Sequence, residues 1–342
     1  MGDCPNLGSC GVTTYIPTRN SAEWIGVFLK AYRELGVEPL YVVDVRSTDS
    51  TAEILKEQGA KVLLFQPDHD FAEAGMVEFA SFAAGTPWVL RMDDDEFPSR
   101  ALLRAIPRAI KTTLNDGFLI SRQELFRRDG EIYQSRAPGR LVAGIDRPSV
   151  QLRLYRPDRV KYIEVVHTSG FIWPDFLGVM AASESFAHFD RLMRSPVARL
   201  AKIEAYRAMG YPAYELADEY LPELFDLQHH AALKPDLHEF HNIMEKLPRP
   251  SADMPEIDPV RLAEMRESSL AFGRKALNGL DLRNADEIMR LSLGLPPSLY
   301  FRMAELLCTF GVTGIGERLW NFANDLGNIR KVSNAAAHQM PS

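Results

Sequence analysis

The sequence predicts an α/β fold: a mostly parallel sheet flanked by helices, followed by a C-terminal helical region. Three observations predict it. Four short apolar runs that read as strands alternate with three helix-like stretches up to Met92. The run Asp93-Asp94-Asp95-Glu96 follows the fourth strand directly. From Ser195-Pro196 onward helical periodicity takes over. Alternating strands and helices build parallel sheets, and such sheets hold ligands beyond the carboxyl ends of their strands.

Residues 11–16 (GVTTYI) are β-branched and aromatic and stop at Pro17, as a strand does. Asn20 or Ser21 can cap the helix that follows, in which Trp24, Ile25, Phe28, Leu29, Tyr32 and Leu35 recur at helical spacing before Gly36. Leu40-Tyr41-Val42-Val43 is a second, buried strand. Ser47-Thr48-Asp49-Ser50-Thr51 offers N-caps for a short helix through Gln58, closed by Gly59. Residues 61–65 (KVLLF) form the third strand. Asp70-Phe71-Ala72-Glu73 has capping-box spacing and opens a helix to about Ala84. Residues 88–92 (WVLRM) form the fourth strand.

Beyond Ile120 the pattern changes. Residues 150–156 and 160–166 alternate with period two around Pro157-Asp158 and read as an antiparallel hairpin, and 184–189 adds a short strand. Helices are expected at about 197–209, 213–232, 259–277, 284–293, 298–310 and 314–326, with a proline-rich linker at 247–258. The expected division is 11–192 for the sheet domain, 193–330 for the helical region and 331–342 for a frayed tail.

Composition narrows the function. Of 342 residues, 46% are hydrophobic and 25% charged, the balance of an ordinary globular chain. The net charge of −7 leaves no electrostatic footprint for nucleic acid. Cys4, Cys10 and Cys308 are too few and too scattered for a disulfide framework. No apolar run approaches the roughly 18 residues of a membrane span, and Met1 to Asn6 lacks the basic and apolar regions of a signal peptide. A cytoplasmic location follows as an expectation, with the inner face of the membrane, a peripheral membrane contact and homo-oligomers left open.

Four adjacent carboxylates repel one another and disfavour burial without a cation. At the end of a parallel strand, alternate members such as Asp93 and Asp95 can hold Mg²⁺ or Mn²⁺, hard ions that also bridge phosphates. The alternative is a solvated acidic turn that caps the next helix.

Four stretches then occur in a familiar order. They are Pro17-Thr18-Arg19-Asn20, Val42-Val43-Asp44-Val45-Arg46-Ser47-Thr48-Asp49-Ser50-Thr51, Asp70-Phe71-Ala72-Glu73-Ala74 and Trp88-Val89-Leu90-Arg91-Met92-Asp93-Asp94-Asp95-Glu96. Together, residues 12 to about 190 resemble a family 2 glycosyltransferase of the GT-A, Rossmann-like fold. Gln151 to Arg156, Val166-His167 and His188-Phe189-Asp190 resemble segments of cytoplasmic-face transferases that act on lipopolysaccharide-type and other cell-surface glycan acceptors.

The resemblance implies a metal-dependent, inverting transfer of a sugar from a nucleotide-sugar donor to a glycan or glycolipid hydroxyl. It implies that Asp44 contacts the nucleobase and that Thr18, Arg19, Asn20 and Asp93 belong to the nucleotide site. The family's VVDDGSTDGT has Asp-Gly where this chain has Val45-Arg46, and its Arg-Asn after the Ala74 position is Gly75-Met76 here. Arg46 or Arg91 can reach the phosphates that this arginine often holds. Asp93, Asp95 and His188 are the implied ligands of Mn²⁺ or Mg²⁺. Candidate bases for the acceptor hydroxyl are Glu164, Asp175 and His167, although strand alternation sets Glu164 and His167 on opposite faces.

Two further readings compete. A sugar nucleotidyltransferase needs a glycine-rich phosphate loop after the first strand, which Pro17-Thr18-Arg19-Asn20 is not. A non-catalytic nucleotide- or glycan-binding relative would explain the missing arginine. Nine arginines fall between Arg122 and Arg159, a patch for an anionic acceptor or a solvated face. His229-His230 and His238-x-x-His241 read as surface positions.

Overall fold

Val12–Thr18 forms β1, a largely buried strand whose register places β2 on one side and β4 on the other. The structure is a computed structural model. It describes residues 6–67, 73–111, 115–134, 141–142, 145–146, 149–162, 171–172, 174, 176–181, 183–208, 214, 217–224, 237–251 and 253–278. After β1 come α1 (Ile25–Glu34), β2 (Leu40–Asp44), α2 (Thr51–Glu57), β3 (Lys61–Phe65), α3 (Glu73–Ala83), β4 (Trp88–Arg91), β5 (Glu96–Pro98) and α4 (Arg100–Lys111). They are followed by β6 (Gly117–Arg128), β7 (Glu131–Gln134), β8 (Leu141–Val142), β9 (Ile145–Asp146), β10 (Ser149–Tyr155), β11 (Lys161–Tyr162), β12 (Phe171–Ile172), β13 (Leu177–Val179) and β14 (Phe186–His188). Helices α5 (Asp190–Met193), α6 (Pro196–Ala208), α7 (Ala217–Tyr220), α8 (His241–Met244) and α9 (Pro259–Asn278) complete the list.

The described residues fall into two units. The first draws on 1–123, 149–193 and 236–249, the second on 124–148, 194–235 and 250–342.

In the first unit the strand order is β3-β2-β1-β4-β10-β6-β14-β5, with β13 beside β6. The first four strands are parallel, as the alternation of elements requires. β10 runs antiparallel to both β4 and β6, and β14 runs antiparallel to β5. The order reverses between β1 and β4, so their carboxyl ends flank a crevice of the kind that holds ligands. Tyr15, Val42, Val89, Leu119 and Leu152 pack with Met76, Val77 and Ala80 of α3. The alternate residues Ile16, Tyr41 and Val43 are also buried, so the sheet is covered on both faces. Phe28 and Tyr32 of α1 join Phe97, Phe189 and Phe240 in an aromatic cluster with ring centroids 4.7–6.4 Å apart.

Several local expectations need correction. α1 starts at Ile25 rather than beside Asn20 or Ser21: residues 22–24 form a turn, and the Ser21 carbonyl accepts from Ile25 N–H at 2.9 Å. Gly36 and Gly59 do close α1 and α2, each in the left-handed region. The hairpin of 150–156 with 160–166 is not formed. β10 is drawn into the main sheet, a 3-10 turn spans Pro157–Arg159, and β11 pairs with β12 instead. The capping segment Asp70-Phe71-Ala72 lies outside the described residues.

In the second unit, Asp129 and Gly130 both take positive φ and turn β6 into β7, with Arg128 opposite Glu131. Ile203, Tyr214, Ala217, Leu221 and Met265 form its core. Arg199, buried, donates to the Tyr220 carbonyl at 2.6 Å and grips Glu223 at 2.6 and 3.0 Å. The expected helix at 213–232 is broken. α7 ends at Tyr220, and a 3-10 turn begins at Pro222, which has no N–H to continue an α-helix. The helices expected at 284–293, 298–310 and 314–326 lie outside the described residues.

Candidate nucleotide-sugar site

The acidic run turns tightly: Glu96 N–H donates to the Asp93 carbonyl at 3.0 Å, which leaves Asp94 and Asp95 at the turn's centre. Asp93 and Glu96 share the Arg153 guanidinium, while Asp94 and Asp95 turn to other partners.

Asp93 turns toward two arginines. Arg153 Nη2 lies 2.6 Å from its Oδ2, and Arg91 Nη2 lies 3.2 Å from its Oδ1. Burial would raise the Asp93 pKa, but the charges of Arg153 and Arg91 overcome it and hold the carboxyl far below its ordinary range. Glu96 is fully buried; its Oε1 takes Arg153 Nη2 at 2.6 Å and its Oε2 accepts from Asp93 N–H at 3.0 Å. Here burial prevails over Arg153, and with the Asp93 charge nearby the Glu96 pKa is raised.

Asp94 reaches back to the turn after β1. Its Oδ2 accepts from Thr18 Oγ1 at 2.9 Å and from Ser21 Oγ. Asp95 keeps a different neighbour: His188 Nε2 stands 3.4 Å from its Oδ1. The backbone explains the approach. β14 pairs with β5 so that His188 sits opposite Glu96, and Phe189 N–H donates to the Asp95 carbonyl at 2.8 Å. Among the described residues, no group of three or more His, Cys, Asp and Glu side chains is placed to hold a metal ion together. Of the implied ligand set, the structure brings Asp95 and His188 together and turns Asp93 to the arginines.

The second strand's end carries another ion pair. Asp44 is 1% exposed; its carboxylate accepts from Arg46 N–H at 2.8 Å, Nε at 3.0 Å and Nη2 at 2.8 Å, with Arg19 Nε 3.9 Å away. Burial would raise the Asp44 pKa, but these Arg46 hydrogen bonds and the two guanidinium charges lower it. The two turns are stitched together. Asn20, at φ 53°, accepts from Thr48 N–H at 2.7 Å, Asp49 accepts from Ala22 N–H at 2.9 Å, and Ser21 N–H donates to Thr51 Oγ1 at 2.7 Å. Thr18 and Asn20 therefore shape the turns through their own hydrogen bonds. Arg91 is committed to Asp93, while Arg46 lies over Asp44 and is still 24% exposed.

Glu164, His167 and Asp175 lie outside the described residues. So do Arg136, Arg140 and Arg147 of the arginine-rich stretch, while Arg156 and Arg159 sit among Asp116 and Asp158 at 3.5–3.9 Å. His241 faces Glu245 at 3.0 Å on the surface, as expected of its position. The sequence reading made Arg153 part of an arginine-rich patch, Glu96 a member of the acidic run and Ser21 a helix cap, and gave none of them a part in bracing the acidic turn. A lone arginine in the apolar strand Gln151-Leu152-Arg153-Leu154-Tyr155, in a chain with a buried-looking acidic run, is the signal that pointed to the first two.

Residues 13–176 match the family described as glycosyl transferase family 2. The chain carries a family 2 glycosyltransferase domain. This glycosyltransferase has the GT-A, Rossmann-like arrangement, a parallel sheet flanked by helices with an acidic turn at its switch point. Among solved structures it is similar to S. aureus TarS 1–349 in complex with UDP-GlcNAc, at 16% identity and TM-score 0.37 over 78% of this chain and 90% of that one. It is also similar to the mannosyltransferase PcManGT from Pyrobaculum calidifontis in complex with GDP-Man and Mn²⁺, at 12% identity and TM-score 0.36 over 96% of this chain and 88% of that one. Likenesses this faint carry no argument about donor or metal. No curated protein matches the chain. Among the described residues no helix is long and apolar enough to cross a membrane.

Proposed function

We propose that this glycosyltransferase transfers its sugar with inversion to a glycan or glycolipid hydroxyl, with a divalent cation held by Asp95 and His188. The observation that carries the metal assignment is the 3.4 Å between Asp95 Oδ1 and His188 Nε2. Two ligands at right angles about an ion, each about 2.1 Å from it, stand about 3 Å apart, so a small closure brings this pair to ligand spacing. A carboxylate oxygen beside an imidazole nitrogen suits Mn²⁺ better than Mg²⁺, which wants oxygen alone. The ion supplies neutralisation of the charge that grows on the leaving diphosphate. Asp93 contributes differently from the sequence expectation: with both guanidiniums on it, it braces the turn that presents Asp95.

Asp44, Arg46 and Arg19 at the ends of β1 and β2 receive the nucleoside. The acceptor's proton goes to Glu164, Asp175 or His167, each supported by the sequence alone. The acceptor belongs to cell-surface glycan assembly at the cytoplasmic face of the membrane. The test is release of nucleoside diphosphate from a panel of nucleotide sugars, with Mn²⁺, with Mg²⁺ and with EDTA, followed by NMR of the product's anomeric configuration. Turnover undiminished by EDTA removes the metal, and retained configuration removes the inverting mechanism.

A further inference from the structure

We infer that the basic face of α4, continued by Lys30 and Lys246, seats the catalytic unit on an anionic lipid bilayer. The inference rests on the proposed reading of a membrane-face acceptor for its purpose, and on the distribution of charge for its place.

α4 carries Arg100, Arg104, Arg108 and Lys111 and no carboxylate. At about 100° per residue these four fall within about 80° of arc, and all four are exposed. Leu102, Leu103, Ala105 and Ile106 point the other way and are buried. The N-terminal end of the stripe opens on a cleft beside α1, where Lys30 and Lys246 join Arg100. Glu239 Oε2 accepts from Arg100 N–H at 3.0 Å and so links the segment of α8 to the start of α4.

The acidic neighbours are partly spent. Glu184 lies 3.3 Å from Arg108 through Oε1 and accepts from Ala181 N–H at 2.9 Å through Oε2. Glu239 is turned to the Arg100 backbone, and Glu34 lines the cleft. The side chains of Lys30, Arg100, Lys111 and Lys246 have no ion pair among the described residues. Elsewhere Arg33, Arg153, Arg199 and Arg261 each sit on a carboxylate. A chain of net charge −7 thus gathers uncompensated cations on one face, and an anionic headgroup layer is their complement.

Shape and place favour a bilayer. Arg100 to Lys111 extends about 16 Å along the helix axis, a row of charges rather than a pocket for one ion. The apolar side of α4 is already buried, so the helix lies on the headgroups and inserts nothing. β5 runs from Glu96 of the acidic turn to Pro98, and the stripe begins at Arg100, within about 13 Å of that turn. A bilayer on this face brings a lipid-borne hydroxyl to the donor, whereas a protein or nucleic acid bound there would cover the approach.

The test is flotation of the full chain with vesicles of equal parts phosphatidylcholine and phosphatidylglycerol, and with phosphatidylcholine alone, at low and high salt. Wild-type protein is expected to float with the anionic vesicles only and to be released by salt, because exposed charges are screened over about 8–10 Å at ordinary ionic strength. R104Q/R108Q/K111Q and K30Q/R100Q/K246Q each remove one half of the surface, so a folding defect in one leaves the other as the test. Each is expected to weaken binding at least tenfold, since one cation near an anionic bilayer contributes about fivefold. K56Q/K61Q, on α2 and β3, is expected to bind nearly as wild type does. Wild-type protein that ignores the anionic vesicles, or floats equally with phosphatidylcholine alone, overturns the inference. So do triple variants that float as wild type does, and so does a K56Q/K61Q effect as large as theirs, because the attraction is then spread over the chain. Release of nucleoside diphosphate from the panel of nucleotide sugars, measured without vesicles, is expected to be unchanged in both triple variants. Release without flotation overturns the inference alone, whereas flotation without release from any nucleotide sugar overturns the functional reading and leaves the lipid surface standing.

Discussion

Arg153 Nη2 lies 2.6 Å from Asp93 Oδ2 and 2.6 Å from Glu96 Oε1, so one buried guanidinium ties both ends of the acidic turn to β10. Its face also lies 5.6 Å from the centre of the Phe186 ring on β14. Removing it strands Glu96, which is fully buried. We predict that Arg153→Met destabilises the protein by about 3–5 kcal/mol, the usual consequence of leaving a buried charge without its partner. Arg153→Lys restores charge to one carboxylate but cannot span both, and falls between. Urea unfolding of the three proteins checks this. A loss below about 1 kcal/mol for the methionine variant means that Glu96 is satisfied without Arg153.

A second buried polar cluster makes no contribution to the chemistry and tests the sheet itself. Tyr15 and Tyr155, on β1 and β10, place their hydroxyls 2.5 Å apart, and Ser81 Oγ of α3 lies 2.9 Å from that of Tyr155. Tyr155→Phe leaves the Tyr15 hydroxyl with Ser81 at 3.4 Å. We predict a cost of about 1–3 kcal/mol, the range for a buried hydroxyl deprived of a good partner. The double variant Tyr15→Phe/Tyr155→Phe should cost less than the two single changes added together, since both remove one shared interaction. Strict additivity would show that the two hydroxyls are not coupled.

The parallel half of the fold was legible because its strands are apolar, short and punctuated. Gly36 and Gly59 take the left-handed conformation that ends a helix, and Asp44 and Asp93 fall at strand ends. The antiparallel half was harder. Period two predicts a strand at 150–156 but pairs it with the neighbouring 160–166, whereas β10 (Ser149–Tyr155) finds β4 and β6 at long range. Asp129-Gly130 between alternating residues is a hairpin signal that the density of arginines obscured. In the site, the sequence marked the acidic run but not its internal division of labour. That division depends on Arg153, 57 residues from Glu96 along the chain, and no local pattern carries such a contact.

The Asp44–Arg46 pair predicts how stability depends on acid. Burial pushes the Asp44 pKa up, and the Arg46 hydrogen bonds and charge bring it down past its ordinary value. A carboxyl lowered on folding contributes stability that is fully present above its unfolded pKa, about 3.9, and is lost as the pH falls through its folded value. Asp93 acts in the same sense, while Glu96, raised on folding, acts in the opposite one. We expect wild-type stability to fall below about pH 4, and to fall less steeply in Asp44→Asn. Urea midpoints at a series of pH values between neutral and acid measure both slopes. Equal slopes would mean that Asp44 titrates alike in the folded and unfolded chains.

The assignment of Asp95 and His188 to the cation makes a prediction that separates them from Asp93. Asp95 and His188 face each other at 3.4 Å, whereas Asp93 is held by Arg153 and Arg91. Asp95→Asn keeps the shape of the side chain and an oxygen but removes the charge that a divalent ion requires, and His188→Ala removes the nitrogen ligand. Both should weaken Mn²⁺-dependent binding of a nucleoside diphosphate at least tenfold, with thermal stability little changed. Asp93→Asn should do the reverse in part. It leaves Arg91 and Arg153, both buried, short of a counter-charge, so the melting temperature falls first and binding falls only as the turn loosens. Calorimetry with and without Mn²⁺, alongside thermal melts of the three variants, distinguishes the roles. If Asp93→Asn abolishes the Mn²⁺ effect at unchanged stability while Asp95→Asn preserves it, the ion sits on Asp93 and the two aspartates exchange the roles given to them here.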